Sequence, residues 1–213
     1  MELQIRERTL IFEPVELNFK DQIYSDVFAT KNNKTLQETI LHKKYEKLAT
    51  TTESKYASYL NWKLGDFLIT LKKDNDPYYL KFLNKNGDLN YSEFHITDKR
   101  YLMKKGLYVY ATKGDLKYIG RCRDNFRKRI NQGYGKIHPK NCFIDGQSTN
   151  CHLNHLVTMK REDIQFLVCV LEDDAEINLL EQQLIGKYQP EWNIGFKNAR
   201  HKKSHLFLSI ALS

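Results

Sequence analysis

The chain has 213 residues, 41% of them hydrophobic and 28% charged, and a formal net charge of +8. That length supports one full core or two small domains, and the composition excludes a disordered or fibrous chain. The excess of Lys and Arg makes a polyanion the first partner to consider, without proving one.

The placement of charge says more than the total. Arg121, Arg123, Arg127, Lys128, Arg129, Lys136 and Lys140 fall within residues 121–140, against Asp124 alone. Lys197, Arg200, Lys202 and Lys203 fall within residues 196–205 with no acid among them. One such run is ordinarily a solvated face, but two in the same half of the chain point to phosphate binding. The opening MELQIRERTL lacks the apolar stretch of a secretory leader, and no segment is apolar for long enough to span a bilayer. The expectation is a cytoplasmic protein in which Cys122, Cys142, Cys151 and Cys169 are reduced thiols.

In chain order, Leu10, Phe12, Val15 and Leu17 alternate loosely, as in a strand that places Pro14 at a sheet edge. Residues 35–48 predict a helix. Thr35 and Glu38 have capping-box spacing, and Leu36, Ile40, Leu41, Tyr45 and Leu48 make an apolar stripe. A second helix is expected over 53–64, and DFLITLKK and YYLKFLN read as two strands joined by the Asp74–Pro77 turn. Residues 1–105 therefore form an N-terminal α+β region.

The rhythm changes at Gly106. LYVYAT and LKYIG are strands around Lys113-Gly114-Asp115, a hairpin signal. Residues 124–132 read as helix and 133–148 as a long loop. Asn150 caps a helix carrying Leu153, Leu156 and Val157. IQFLVCVL is a buried strand, and Asp173 or Asp174 caps a helix that runs to about Tyr188. The fold class implied is α+β, with a small three-stranded antiparallel sheet flanked by helices and the N-terminal extension beside it.

One residue in the last helix breaks the pattern. Stepping about 100° per residue from Ile177 puts Leu180, Leu184, Ile185 and Tyr188 in one apolar arc, and Glu181 falls inside it. An inward carboxylate is costly unless a cation or a metal ion meets it. A salt bridge to Arg or Lys is the plain alternative. The basic helix at 124–132 favours a metal, because phosphodiester hydrolysis calls for a cation and an arginine near one carboxylate.

Gly106-Leu107-Tyr108, then Tyr118-Ile119-Gly120 across the hairpin, Arg129 on the following helix, and Glu181 opening EQQLIGKYQPEWN with Asn193 in its Pro-x-Trp-Asn turn stand in a fixed order. Over about residues 106–196 this resembles the GIY-YIG nuclease family, with Leu107 in place of the middle Ile. The Gly120-to-Arg129 segment is one residue longer than the family pattern, which leaves Arg127 and Lys128 as alternatives for the arginine position.

The resemblance implies hydrolysis of double-stranded DNA with Mg²⁺ or Mn²⁺. Tyr108 would be general base or water positioner. A phenol with a pKa near 10 is a poor base alone, so Arg129 and the metal would have to favour its anion. Tyr118 would orient phosphate or water, Arg129 would stabilise the transition state, and Glu181 would hold the metal. Asn193 would bond phosphate or brace the site, and His138 is a second-tier candidate because some members place a His there. Arg121, Arg123, Arg127, Lys128, Lys136, Lys202 and Lys203 would contact DNA.

The domains expected are 1–105 for DNA recognition, 106–196 for catalysis and 197–213 as a basic tail, working as monomer or homodimer. With no separate specificity domain after the module, a restriction-type, site-specific endonuclease is the first expectation. A homing or repair nuclease, or a non-cleaving DNA-binding protein, is the alternative. A rival set, His138, Cys142, Cys151 and His155, offers zinc-type ligands at a spacing unlike the usual zinc fingers.

Overall fold

The computed structural model describes residues 1–194, so the expected tail and its Lys202 and Lys203 lie outside the described residues. In chain order the strands and helices are β1 (Glu2–Ile5), β2 (Arg8–Ile11), β3 (Glu13–Val15), β4 (Asn18–Tyr24), α1 (Leu36–Ile40), α2 (Glu46–Lys55), α3 (Leu64–Lys73), β5 (Tyr91–His95), α4 (Lys99–Leu102), β6 (Gly106–Thr112), β7 (Asp115–Cys122), α5 (Ser148–Met159), β8 (Ile164–Val170) and α6 (Asp174–Tyr188). A π-type helix spans Arg127–Tyr134, and short 3₁₀ helices include Val27–Thr30, Pro77–Lys81 and Pro139–Cys142. No helix among the described residues is long and apolar enough to cross a membrane.

The chain divides into two compact units that do not follow chain order. The first takes Met1–Asn18, His95–Gln132 and the chain from Lys160 on, and the second takes Phe19–Phe94 and Gly133–Met159. These units cut across the expected ranges 1–105 and 106–196. The N-terminal strands belong with β6–β8, and the segment after the π-type helix belongs with the N-terminal helices.

The first unit is built on a four-stranded sheet in the order β3-β8-β6-β7, one strand more than expected. The extra strand is β3, antiparallel to β8 with Pro14 opposite Leu167. Pro14 has no N–H to donate, so an outer position suits it. β6 lies antiparallel to both β7 and β8. The two-residue side-chain period then sorts the strands by face. Leu107, Val109, Ala111, Ile119, Leu167 and Cys169 pack with Ile177, Leu180, Leu184 and Ile185 of α6. Leu3, Ile5, Leu10 and Phe12 of the N-terminal hairpin close the same core. The opposite face carries Tyr108, Tyr110, Tyr118 and Phe166, whose rings contact one another.

The second unit is mostly helical. Its core gathers Phe28, Leu36, Ile40, Tyr45, Leu64, Phe67, Leu68, Leu71, Phe82 and Phe143. The capping box of α1 is present, with Thr35 and Glu38 exchanging side-chain and backbone bonds, but α1 stops at Ile40 and a separate α2 follows. DFLITLKK is helix α3, not strand. Leu64, Phe67, Leu68 and Leu71 recur at helical spacing and are buried together. YYLKFLN likewise enters a 3₁₀ helix, capped by the Asp76 side chain accepting from the Tyr78 N–H. β4 and β5 pair with each other.

Candidate active site

The candidate site lies within the first unit. Two glycines set the geometry of its tyrosine face. Gly106 has φ +143, and a Cβ there would meet the Cys169 carbonyl oxygen at 2.1 Å. Gly120 stands opposite Tyr108 in register, and a Cβ on it would lie 2.4 Å from both Cζ and Oη of Tyr108. The bare glycine surface therefore lets the Tyr108 ring lie across β7, where it stacks on Tyr118 at 6.1 Å and 29°. Phe126 meets the same ring edge-on at 6.5 Å. Both phenols are buried, so the surrounding rings fix their orientation.

The Arg127–Tyr134 helix starts from Asn125, whose side-chain oxygen accepts from the Lys128 N–H at 2.9 Å while its carbonyl accepts from the Arg129 N–H. Asn125 is thus a cap that the sequence reading passed over, and an Asn three residues before Lys128 was the available signal. Phe126 and Ile130 are fully buried, as expected for the inner face of this helix. Lys128 is tied to Asp124 at 2.6 Å. Of the three basic residues considered for the arginine position, Arg129 is the one whose charge acts on Glu181. Its side chain also hydrogen-bonds Cys122.

Glu181 sits on α6 among Ile177, Leu180, Leu184 and Ile185, with its side chain 12% exposed. Arg121 Nη1 donates to its Oε2 at 2.6 Å. Burial raises the carboxyl above its usual range, and the Arg121 charge and hydrogen bond, then Arg129, oppose that rise. The salt-bridge alternative is therefore present in the structure. Arg121, expected on DNA, is instead engaged by the carboxylate, because Leu107 and Arg121 share the register position that faces α6. Earlier on α6 stands Asn178, whose buried Oδ1 has no hydrogen-bond partner among the described residues. Its place beside the apolar arc of α6 is the signal the sequence holds for it.

Asn193 is 8% exposed, and both ends of its amide are used. Oδ1 accepts from the Ile119 N–H at 2.9 Å and Nδ2 donates to the Ile119 carbonyl at 2.7 Å. Of the two roles left open for it, bracing is the one these bonds describe. Arg123 and Arg127 are exposed. His138 and Lys136 belong to the second unit and are exposed there, with the His138 N–H bound by Asn141 Oδ1 at 3.0 Å.

The zinc-type set does not assemble. No group of three or more His, Cys, Asp or Glu side chains able to hold a metal occurs among the described residues. Cys142 and Cys151 are buried next to each other and to Tyr91, while His155 Nδ1 lies 3.0 Å from the Asn90 carbonyl. Glu181 and, three residues earlier on α6, the Asn178 amide offer oxygen donors, which suit a hard divalent cation that keeps most of its waters better than they suit zinc.

A helix-backed antiparallel sheet carrying stacked phenols, with a guanidinium close to a half-buried carboxylate, is consistent with the α+β fold implied by the GIY-YIG resemblance. No protein-family model and no solved structure matches the chain. Curated proteins named UvrABC system protein C do match. That of Fusobacterium nucleatum is 28% identical over 106 residues, which is 50% of this chain and 15% of that protein. That of Bacteroides thetaiotaomicron is 32% identical over 96 residues, 45% of this chain and 14% of that protein. That of Methanospirillum hungatei is 32% identical over 107 residues, 50% of this chain and 17% of that protein. The likeness is thus to one segment of a much longer protein.

Proposed function

We propose that this protein is a divalent-metal-dependent DNA endonuclease of the GIY-YIG type, whose first unit performs the hydrolysis. The observation that carries the reading is that Tyr108 and Tyr118 stand on adjacent strands and the Arg129 charge acts on Glu181, all within one unit and in the order of the sequence motif. The partial likeness to UvrABC system protein C supports it.

In this reading Glu181, with the Asn178 amide oxygen three residues earlier on α6, would hold Mg²⁺ or Mn²⁺, which would supply positive charge against the leaving oxygen. Tyr108, fixed against Gly120 by close packing, presents its hydroxyl to the attacking water. Tyr118, stacked beside it, orients the phosphate. Arg129 balances the charge that builds on the phosphoryl oxygens, a role suited to a planar guanidinium with several donors. Arg121 opposes the rise that burial imposes on the Glu181 carboxyl and positions it. Arg123 and Arg127 are exposed and contact the DNA backbone.

The finer reading is restriction-type cleavage at a defined sequence. Incubation of supercoiled plasmid and phage DNA with the protein and Mg²⁺ is expected to give cleavage that a chelator abolishes. Sequenced ends that share one motif support the restriction-type role, and scattered ends leave an endonuclease without it. The Arg121–Glu181 ion pair favours a second reading, in which the carboxylate is structural and the module binds DNA without cutting. Tight DNA binding with no cutting on any substrate and either metal would establish that reading in place of the first.

A further inference from the structure

In the second unit two separate stretches of chain are tied together where they enter α1 and α3. The Lys34 carbonyl accepts from the Leu64 N–H at 3.0 Å, and the Lys31 carbonyl from the Gly65 N–H at 3.2 Å. The Trp62 carbonyl accepts from the Leu36 N–H at 2.9 Å, and the Leu60 carbonyl from the Gln37 N–H at 3.0 Å. Thr35 and Lys63 face each other in an antiparallel bridge. Gly65 permits this close approach, since a Cβ there would lie 2.0 Å from the Ala29 carbonyl oxygen. The backbone under this surface is therefore fixed.

The surface carries an indole open to solvent. Trp62 is 44% exposed and lies between the exposed residues Asn61 and Lys63. Its ring is propped from behind. Tyr59 meets it edge-on at 4.9 Å and 70°, and Tyr59 in turn leans on the buried Phe67 at 5.5 Å. A single exposed apolar side chain is ordinary on a folded protein. Trp62 differs in having a rigid aromatic support and positive charge on the same tied stretches.

Lys34 and Lys63 are both exposed. The Glu38 carboxyl is held below its usual range first by the Thr35 N–H and hydroxyl, and then by the charges of Lys63 and Lys34, so both ammonium groups act in one neighbourhood. Glu38 is itself engaged in the capping box, and Asp66 accepts from the Asn32 amide at 3.2 Å. Residues 31–63 hold seven lysines against three acids, which sets the sign of the partner as negative. Phosphates meet the lysines. A base that has left its stack meets the indole, because every base offers a flat π-face. In a paired duplex those faces are covered by their neighbours.

We propose that this surface grips an unpaired stretch of DNA, with one base stacked on Trp62 and flanking phosphates on Lys34 and Lys63. This rests on the nuclease reading above and narrows its substrate to DNA that carries unpaired bases.

The protein contains its own reporter, because it has two tryptophans and the other, Trp192, is 6% exposed. Oligothymidylate is titrated into the full chain with chelator present to prevent cutting, beside an abasic deoxyribose-phosphate strand of the same length and charge. The thymidylate should quench the indole emission and the abasic strand should not. In anisotropy with dye-labelled oligothymidylate, Trp62→Ala should weaken binding by at least about tenfold. Trp62→Tyr should keep most of the affinity, and both variants the parent melting temperature. Lys34→Gln and Lys63→Gln should each lower the salt slope of binding by about 0.7. Equal quenching by the two strands, or unchanged strand affinity in folded Trp62→Ala, overturns the proposal. Loss of a dimer in sedimentation by Trp62→Ala, with strand affinity intact, overturns it in favour of a contact between copies. If Trp62→Ala does not fold, the quenching comparison and the salt slopes decide. Plasmid cleavage with Mg²⁺ is scored separately. Cutting without Trp62-dependent strand binding sinks only this surface, and Trp62-dependent binding without cutting sinks only the nuclease reading.

Discussion

The two units use different chemistry. The first holds the arginines of the described residues, and the second carries its positive charge on lysines alone. Guanidinium groups present a planar fork of fixed donors, whereas an ammonium is a mobile point charge. The first unit also mounts its candidate site residues on strands and on helices packed against them, with Tyr108 locked over Gly120 and Glu181 clasped by Arg121. The second offers an aromatic core and a cavity bordered by Lys136. Under the nuclease reading proposed above, the contrast is a division of labour: fixed geometry where a bond would be broken, and diffuse attraction where a chain would be gripped.

The sharpest way to break that division is Glu181→Gln. It keeps the shape of the side chain and removes its charge. Cleavage should fall by on the order of 10²–10³-fold, as when one charge-stabilising group is lost, while the circular dichroism spectrum stays that of the parent. Undiminished cutting would return Glu181 to a structural salt bridge. Gly120→Ala comes next. Its methyl group occupies the space of the Tyr108 ring, so strain of about 1–3 kcal/mol is expected in urea denaturation, together with a changed tyrosine signal in the near ultraviolet. In the second unit, Asn154→Ala strands the Ser92 N–H and the Ser92 and Tyr134 carbonyls. A loss of roughly 2–4 kcal/mol is expected from those buried groups, with the cleavage step at saturating DNA unchanged if the units divide the work as described.

The smallest effect concerns pH. Asp76 accepts from the Tyr56 hydroxyl at 2.7 Å and from the Tyr78 N–H at 2.9 Å, and these bonds hold its carboxyl below the usual range. A carboxyl lower in the folded chain than in the unfolded one contributes stability above its unfolded value, and that contribution fades as pH falls through the folded one. Asp76→Asn should therefore flatten the acid-side decline of melting temperature. A parallel decline in parent and variant would remove Asp76 from the account.

Local patterns in the sequence carried much of the first unit. The hairpin around Gly114, the buried strand at Ile164–Val170, and the cap and apolar arc of α6 are all recognisable from periodicity and turn residues, because each is decided by neighbours in the chain. What escaped was decided by distant partners. β3 gains its place from β8 some 150 residues later, and no local signal announces that pairing. Helix α3 resembles a strand in the sequence because the Asp74–Pro77 turn looks like a hairpin, although its four buried apolar positions have helical spacing. In the site, Glu181 stood out by facing inward, but the identity of its partner Arg121 needed the register of β6 against β7. Asn193 was visible, but its bonds to Ile119 were not.

Those bonds have a consequence beyond the site. β7 ends the sheet order, so its outer backbone groups would be open to another chain. The Asn193 amide takes both groups of Ile119, and the Trp192 N–H takes the Lys117 carbonyl at 2.9 Å. A four-residue turn thereby imitates a missing strand, and a molecule rich in aromatic and β-branched segments is shielded from templated self-assembly along that rim.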